Sequence, residues 1–278
     1  MLTDDQVTFF RKNGFLSPLR IIEKNDAVSL RELYHTTIET DLRAKVIEDG
    51  NVGLEDFEDV ADDPHLYFKW VADLVFNPKL VNAVQALLGP NVVIWETRFF
   101  TKKAQTPDFI SWHQDLKYWK LNDGCEEVTA WIALSPSTEK SGCMRVVPGS
   151  HKLELVDHTQ TFADENMLSR GQEIAVDVDE NDAVSMSLSP GEMSLHHGKI
   201  FHASHPNQSN DDRIGLAIRC LPTSAQQTFG KGVATLLCGT CPRTNFHLVE
   251  PASNNTPTFE RIRKLNHLYA KVGSELAN

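Results

Sequence analysis

From residue 92 to residue 221 the chain is written as short apolar runs broken by Pro and Gly turns. That pattern limits its possible folds more than any other feature. Residues 92–100, 128–134, 144–147, 174–178, 183–188, 192–195 and 213–221 each read as a strand, with Pro148-Gly149 and Pro190-Gly191 as turns. Residues 153–171 read as irregular or helical, and no strand–helix alternation runs through the region. A doubly wound parallel sheet is therefore excluded, and a β sandwich or barrel is expected.

Helical texture flanks this block. Thr3 with Gln6 has the spacing of a capping box, and Gly14 stops the first helix. Residues 25–48 carry apolar positions at helical spacing, and residues 49–63, acidic and containing Gly50 and Gly53, read as a loop. Asn77 as cap, Pro78 in the first turn and Gly89-Pro90 at the end delimit another helix. A last helix covers residues 259–272. With no repeat or linker, one domain over 1–278 is expected: a helical front (1–90), a β core (91–222) and a C-terminal extension with a helix (223–278).

Composition narrows the function. A formal net charge of -11 disfavours nucleic acid and anionic membrane as partners. No apolar run is long enough to span a bilayer, and the N-terminus lacks a signal-peptide core. Five cysteines, an odd number, do not form a disulfide framework, so a cytoplasmic location is expected. Cys238 and Cys241 make a single Cys-x-x-Cys, which reads as a surface turn because two ligands do not make a zinc site.

The chemistry is concentrated in Trp112-His113-Gln114-Asp115-Leu116-Lys117-Tyr118-Trp119. On an extended strand, residues i and i+2 share a face, so His113 and Asp115 can grip one ion together. A third ligand is available among His196, His197, His202 and His205. Two imidazoles and one carboxylate on one face leave three coordination positions open, which suits Fe(II) enzymes that bind a chelating co-substrate and then dioxygen. A dicarboxylate co-substrate needs a cation for its far end, and Arg213 opens the strand after the His cluster.

The sequence resembles the phytanoyl-CoA dioxygenase family of Fe(II)/2-oxoglutarate oxygenases. That family's pattern is His-x-Asp, a distal His, and Arg eleven positions later; here 213 − 202 = 11. Gly142 to His151 and Pro190-Gly191-Glu192 match further family turns, and the likeness runs from about residue 3 to about residue 222. The resemblance implies a mainly β fold with flanking helices, built on a double-stranded β-helix (jelly-roll, cupin-like) core. It implies His113, Asp115 and His202 as the iron ligands. It also implies that Arg213, Ser204 and Trp131 bind 2-oxoglutarate. Arg98 is a further candidate, with a surface ion pair as the alternative, and Arg219 is the rival to Arg213. The cofactors implied are Fe(II), 2-oxoglutarate and O2, with ascorbate as a supporting reductant. Because Asp115 is present where related halogenases have a small residue, hydroxylation is expected.

Lys117, Tyr118, Trp119 and Lys120 read either as substrate contacts or as a solvated rim. Lys69 reads as a more distant candidate for the co-substrate, His197 as either a structural histidine or a residue beside the ligands or the substrate, and His196 and His205 as structural. The expected substrate is a small polar or anionic molecule, the alternatives being an acyl-CoA or secondary metabolite, or desaturation or cyclisation of the substrate. A non-catalytic cupin-type binding protein and a Zn or Mn cupin are the rivals. A monomer or homodimer is expected.

Overall fold

The computed structural model describes residues 1–41, 62–119, 121–122, 124–161, 163–168, 172–228, 230–242 and 245–277. Most of the acidic loop expected at 49–63, and the end of the helix expected over 25–48, lie outside the described residues. Thirteen strands lie among the described residues. Seven make the major sheet, in the order β1 (Phe15–Arg20), β9 (Glu192–His197), β4 (Val128–Ala133), β11 (Arg213–Pro222), β2 (Val92–Lys102), β12 (Gly232–Cys238) and β13 (Phe246–Leu248). Four make a minor sheet, in the order β3 (Ile110–His113), β10 (His202–Ser204), β5 (Met144–Val146) and β8 (Val184–Ser185). A separate ribbon pairs β6 (His158–Gln160) with β7 (Gln172–Ile174). Every pairing is antiparallel except β12 with β13.

The helices are α1 (Asp4–Asn13), α2 (Lys24–Tyr34), α3 (Lys69–Val75), α4 (Pro78–Leu88) and α5 (Phe259–Ala277). In α1 the Gln6 amide donates to Thr3 Oγ1 at 3.2 Å and the Thr3 amide to Gln6 Oε1 at 2.9 Å, so two orphan donors are satisfied reciprocally. Gly14 ends it at φ 82°, a conformation that favours glycine, and a Cβ there would lie 2.4 Å from His151 Nδ1. In α4, Asn77 caps the amide of Lys79 with Pro78 at the start, as its sequence signals require.

Strand parity divides the structure into a packing side and a chemical side. In β4, Val128, Ala130 and Ile132 join the helix-side core, whereas Thr129, Trp131 and Ala133 face the other way. In β11, Ile214, Leu216 and Ile218 join that core, and Arg213, Ala217 and Arg219 line the interior opposite. In β9, Met193 and Leu195 pack on the helices and His196 turns inward. Leu80, Val84 and Leu87 of α4 close the packing side. Each such buried aliphatic side chain contributes about 1.5–3 kcal/mol. The inward faces of the two sheets meet through Trp131, Ala217 and Met144, as in a jelly roll.

Several expectations need correction. The expected boundaries at 90 and 222 do not separate layers, because β1 precedes the core yet forms an edge of the major sheet, and β12 and β13 extend its other edge. Residues 153–171, expected to be irregular or helical, contain β6. The strand expected at 174–178 is instead β7, which ends at Ile174, and that expected at 183–188 shrinks to β8. Segments this short carry too few residues for alternation to register. Helix α3 was not anticipated: Trp70, Val71, Ala72, Leu74 and Val75 are all buried, so it shows little of the periodicity that marks a surface helix. Among the described residues no helix is long and apolar enough to cross a membrane. All five cysteines are free.

Candidate active site

The minor sheet brings His113 and His202 together, with Asp115 just beyond the end of β3. His113 ends β3 and lies in register opposite His202 of β10. The sequence suggested one strand through both His113 and Asp115. Instead β3 stops at His113, and Asp115 opens a 3-10 turn, Asp115–Tyr118. Gln114 between them stays extended at φ -122°, ψ 123°, which preserves the shared face. Gln114 is itself fully buried and pins the corner: its amide group donates to the Lys199 carbonyl at 2.9 Å and accepts from the Val156 amide at 2.9 Å.

One candidate ligand atom from each of the three residues lies within 4.8 Å of the others. His113 Nε2 is 3.5 Å and His202 Nε2 3.9 Å from Asp115 Oδ1. On the far side of each ring, Nδ1 meets a backbone carbonyl: His113 that of Ser111 at 2.9 Å, and His202 that of Ile200 at 3.1 Å. A carbonyl only accepts, so Nδ1 carries the proton and Nε2 turns its lone pair toward Asp115. Burial, and then the His113 ring, push the His202 imidazole well below its usual range and favour this neutral form. Burial alone would raise Asp115, but Arg219, with His113, His196 and His202, holds it well below the usual carboxylate range. Two neutral imidazoles and one carboxylate form a donor set that fits Fe(II).

Beside this triad sits an uncommitted cation. Arg213 is 2% exposed, donates from NH1 to the Gly142 carbonyl at 2.8 Å, and has no hydrogen-bond partner at Nε. No acidic side chain pairs with it among the described residues, and burial pushes it down to about 10. Its guanidinium lies 5.2 Å from the ring centre of Trp131. Trp131 in turn fits only because Gly215 has no side chain, since a Cβ there would lie 1.8 Å from the indole. Gly215→Ala is therefore expected to displace Trp131, costing about 1–3 kcal/mol of stability and weakening 2-oxoglutarate binding together. Thermal melts and a co-substrate titration would show both, and an unchanged KM would contradict it.

Lys102, which sequence reasoning did not single out, lies directly opposite Arg213 in the β2–β11 register. It is fully buried, and its ammonium donates to Ser204 Oγ at 2.6 Å and to the His205 carbonyl at 2.5 Å. Burial, and then the neighbouring Arg213, push it down to about 6. A guanidinium, a lysine amine that a bound anion would favour in its protonated form, and a hydroxyl thus converge, with no carboxylate between them among the described residues, a cradle for an anionic group.

Other expected residues fall elsewhere. Arg98 is half-exposed and pairs with Asp62 at 3.3 Å, an ion pair of the kind named as its alternative. Lys69 pairs with Asp73 on the surface of α3, and Lys117 with Asp157 at 3.1 Å. Lys120 lies outside the described residues. His197 faces Glu126 at 3.3 Å, and His205 faces Arg145 at 2.6 Å. His196, expected to be structural, lines the pocket instead, with neither ring nitrogen hydrogen-bonded. Thr129 and the buried Glu127 were also missed. Thr129 Oγ1 lies 2.7 Å from Glu127 Oε1 and 3.4 Å from Asp115 Oδ2. Burial, and then Asp115, push Glu127 well above its usual range.

Comparison with known proteins agrees with this geometry. The family profile of phytanoyl-CoA dioxygenase (PhyH) matches residues 10–215. The chain belongs to the phytanoyl-CoA dioxygenase family. It is accordingly a 2-oxoglutarate-dependent dioxygenase, with Fe(II), 2-oxoglutarate and O2 as cofactor and co-substrates. A protein of Stutzerimonas stutzeri described as a probable alpha-ketoglutarate-dependent hypophosphite dioxygenase is 31% identical over 176 residues, which is 62% of this chain and 59% of that protein. The chain thus spans somewhat over half the length of that relative. The apo structure of the non-heme monooxygenase ThoJ superimposes with a TM-score of 0.83 at 28% identity over 98% of both chains. CytC3 with Fe(II) and alpha-ketoglutarate has a TM-score of 0.66 at 20% identity, covering 92% of this chain and 96% of that one. This last likeness concerns the fold.

Proposed function

We propose that this member of the phytanoyl-CoA dioxygenase family hydroxylates an unactivated C–H bond of a small polar or anionic metabolite, with release of succinate and CO2. His113, Asp115 and His202 hold Fe(II). Arg213, with Lys102 and Ser204, holds the far carboxylate of 2-oxoglutarate against Trp131. The observation that carries this reading is the buried Arg213, without an acidic partner among the described residues and placed on the same barrel interior as the triad.

Bound iron with 2-oxoglutarate and dioxygen supplies the oxidising power for attack on a C–H bond. The chain's own residues do the rest. The Nδ1 bonds of His113 and His202 hold both rings in the ligating tautomer. Ser204, accepting from Lys102, keeps its own proton available for the co-substrate carboxylate. Phe100, Ile110, Met144 and Leu168 line the same pocket and exclude water from the reacting bond.

A small substrate is supported by the relative described as a hypophosphite dioxygenase. The lysine argument for an anion is weaker than the sequence suggested, because Lys117 is engaged by Asp157. Asp115 supplies the carboxylate of the His113, Asp115 and His202 cluster, which supports hydroxylation.

Anaerobic addition of Fe(II) and 2-oxoglutarate to purified protein should develop a weak visible charge-transfer band. In air, a panel of small metabolites should include one that stimulates succinate formation and gains one oxygen atom. A silent site in the first experiment would indicate a non-catalytic binding protein. Undiminished turnover in the presence of an iron chelator would reject the assignment.

A further inference from the structure

The two arginines of β11 that competed for one role in the sequence have different surroundings. Among the described residues Arg213 has no acidic partner. Arg219, 9% exposed, has two: its NH1 lies 3.2 Å from Glu96 Oε2, and its Nε lies 3.6 Å from Asp115 Oδ2. Its guanidinium also lies over the rings of Trp119 and Phe100, at 5.2 and 5.7 Å from their centres. An arginine so enclosed is not available to a ligand carboxylate, which removes it as a co-substrate clamp.

The two oxygens of Asp115 face different company. Oδ1 is turned to the His113 and His202 rings. Oδ2 is turned to Arg219 Nε, to Thr129 Oγ1 at 3.4 Å and to His196 Nε2 at 3.8 Å. Neither Arg219 Nε nor His196 Nε2 makes a hydrogen bond, although both are buried. Buried donors without acceptors are costly and rare. Asp115 Oδ2 is the acceptor they share, only about half an ångström beyond hydrogen-bond reach for Arg219.

We propose that Arg219 is a positioning residue for the metal carboxylate: anchored on Glu96 and packed against Trp119, it captures Oδ2 of Asp115 so that Oδ1 alone is offered to the metal. A carboxylate free to offer both oxygens would occupy a second coordination position, one that co-substrate or dioxygen needs. The long, planar guanidinium suits this place because it serves two acids at once through separate nitrogens, whereas a lysine ammonium is a single point. The inference rests on the assignment of His113, Asp115 and His202 as ligands.

The test compares wild type with Arg219→Lys, which keeps the charge and gives up the fork. Anaerobic Fe(II) titration by calorimetry should show the variant binding about 10- to 100-fold more weakly, the usual effect of losing a partner that orients a metal ligand. The visible band with 2-oxoglutarate should shift, and the co-substrate's affinity for iron-saturated protein should fall, because a second Asp115 oxygen then competes for a position that it needs. A folded variant that binds Fe(II) as tightly as wild type, with an unshifted band and only a lower melting temperature, would reduce Arg219 to a structural role and overturn the proposal. If the variant does not fold, the wild-type crystal structure with Fe(II) decides. Asp115 should then bind through Oδ1, with Arg219 Nε within about 3.2 Å of Oδ2. A bidentate Asp115, or an Arg219 turned away from it, would overturn the proposal. Wild type that binds no Fe(II) would instead remove the functional reading itself.

Discussion

Arg213→Met should abolish tight 2-oxoglutarate binding and, at the same time, stabilise the ligand-free protein. The guanidinium is buried and has no acidic partner among the described residues, so without co-substrate the protein carries an uncompensated buried charge. Methionine fills much of the same volume against Trp131 without that cost, and replacing a buried charge by a well-packed apolar residue is often neutral or stabilising. For the co-substrate the sign reverses. Losing one partner of a buried charge pair costs about 2–5 kcal/mol, so KM for 2-oxoglutarate should rise by roughly thirtyfold or more. Lys102 stays in place and accounts for whatever binding is left. Melting curves without ligand, set beside a co-substrate titration, give both readings. A variant that melts lower and binds 2-oxoglutarate normally would mean that Arg213 is an ordinary structural arginine.

Asp115→Ala should lose iron-dependent turnover by more than about 100-fold. That figure is the upper range for removing a group that merely orients a metal ligand, and a ligand itself contributes more. The loss should appear first in the Fe(II) dissociation constant. Stability should change less than for most buried charges, because Arg219 retains Glu96 when Asp115 is gone. Asp115→Asn, which keeps the shape and removes the charge, should also bind iron poorly. If either variant turned over 2-oxoglutarate at the wild-type rate, another residue would have to be the third ligand.

These two expectations draw on different levels of information. His113 and Asp115 were legible because their relation is local: two positions apart across one extended residue, the side chains meet whatever the rest of the chain does. His202 and Arg213 were singled out only by the resemblance to the family's eleven-residue interval, since the residues alone left four histidines open; a strand, a turn and the start of the next strand lie between the two. The strands around Trp131 and Arg219 were legible because alternation separates a helix-packed face from a barrel-lining face.

Lys102 was invisible for the opposite reason. Its partners Ser204 and Arg213 are more than a hundred residues away, and only the register of β2 against β11 brings them together. The same holds for Arg98: parity placed it on a face with Glu96, yet its neighbour Asp62 holds it at the surface. His196 looked like one histidine among several until β9 paired with β4 and set it beside Thr129.

By itself, then, the sequence determined the β-rich class, the faces of the long strands and the shared face of His113 and Asp115, because each follows from periodicity or short spacing, whereas His202 and Arg213 were proposed from the family's eleven-residue interval. The tertiary structure decided which distant residues share a contact: Lys102 with Arg213, Arg219 with Asp115, and edge strand β1 against β9. Alternation states which way a side chain faces, but cross-strand register is set by the packing of both sheet faces at once, and no single segment encodes it.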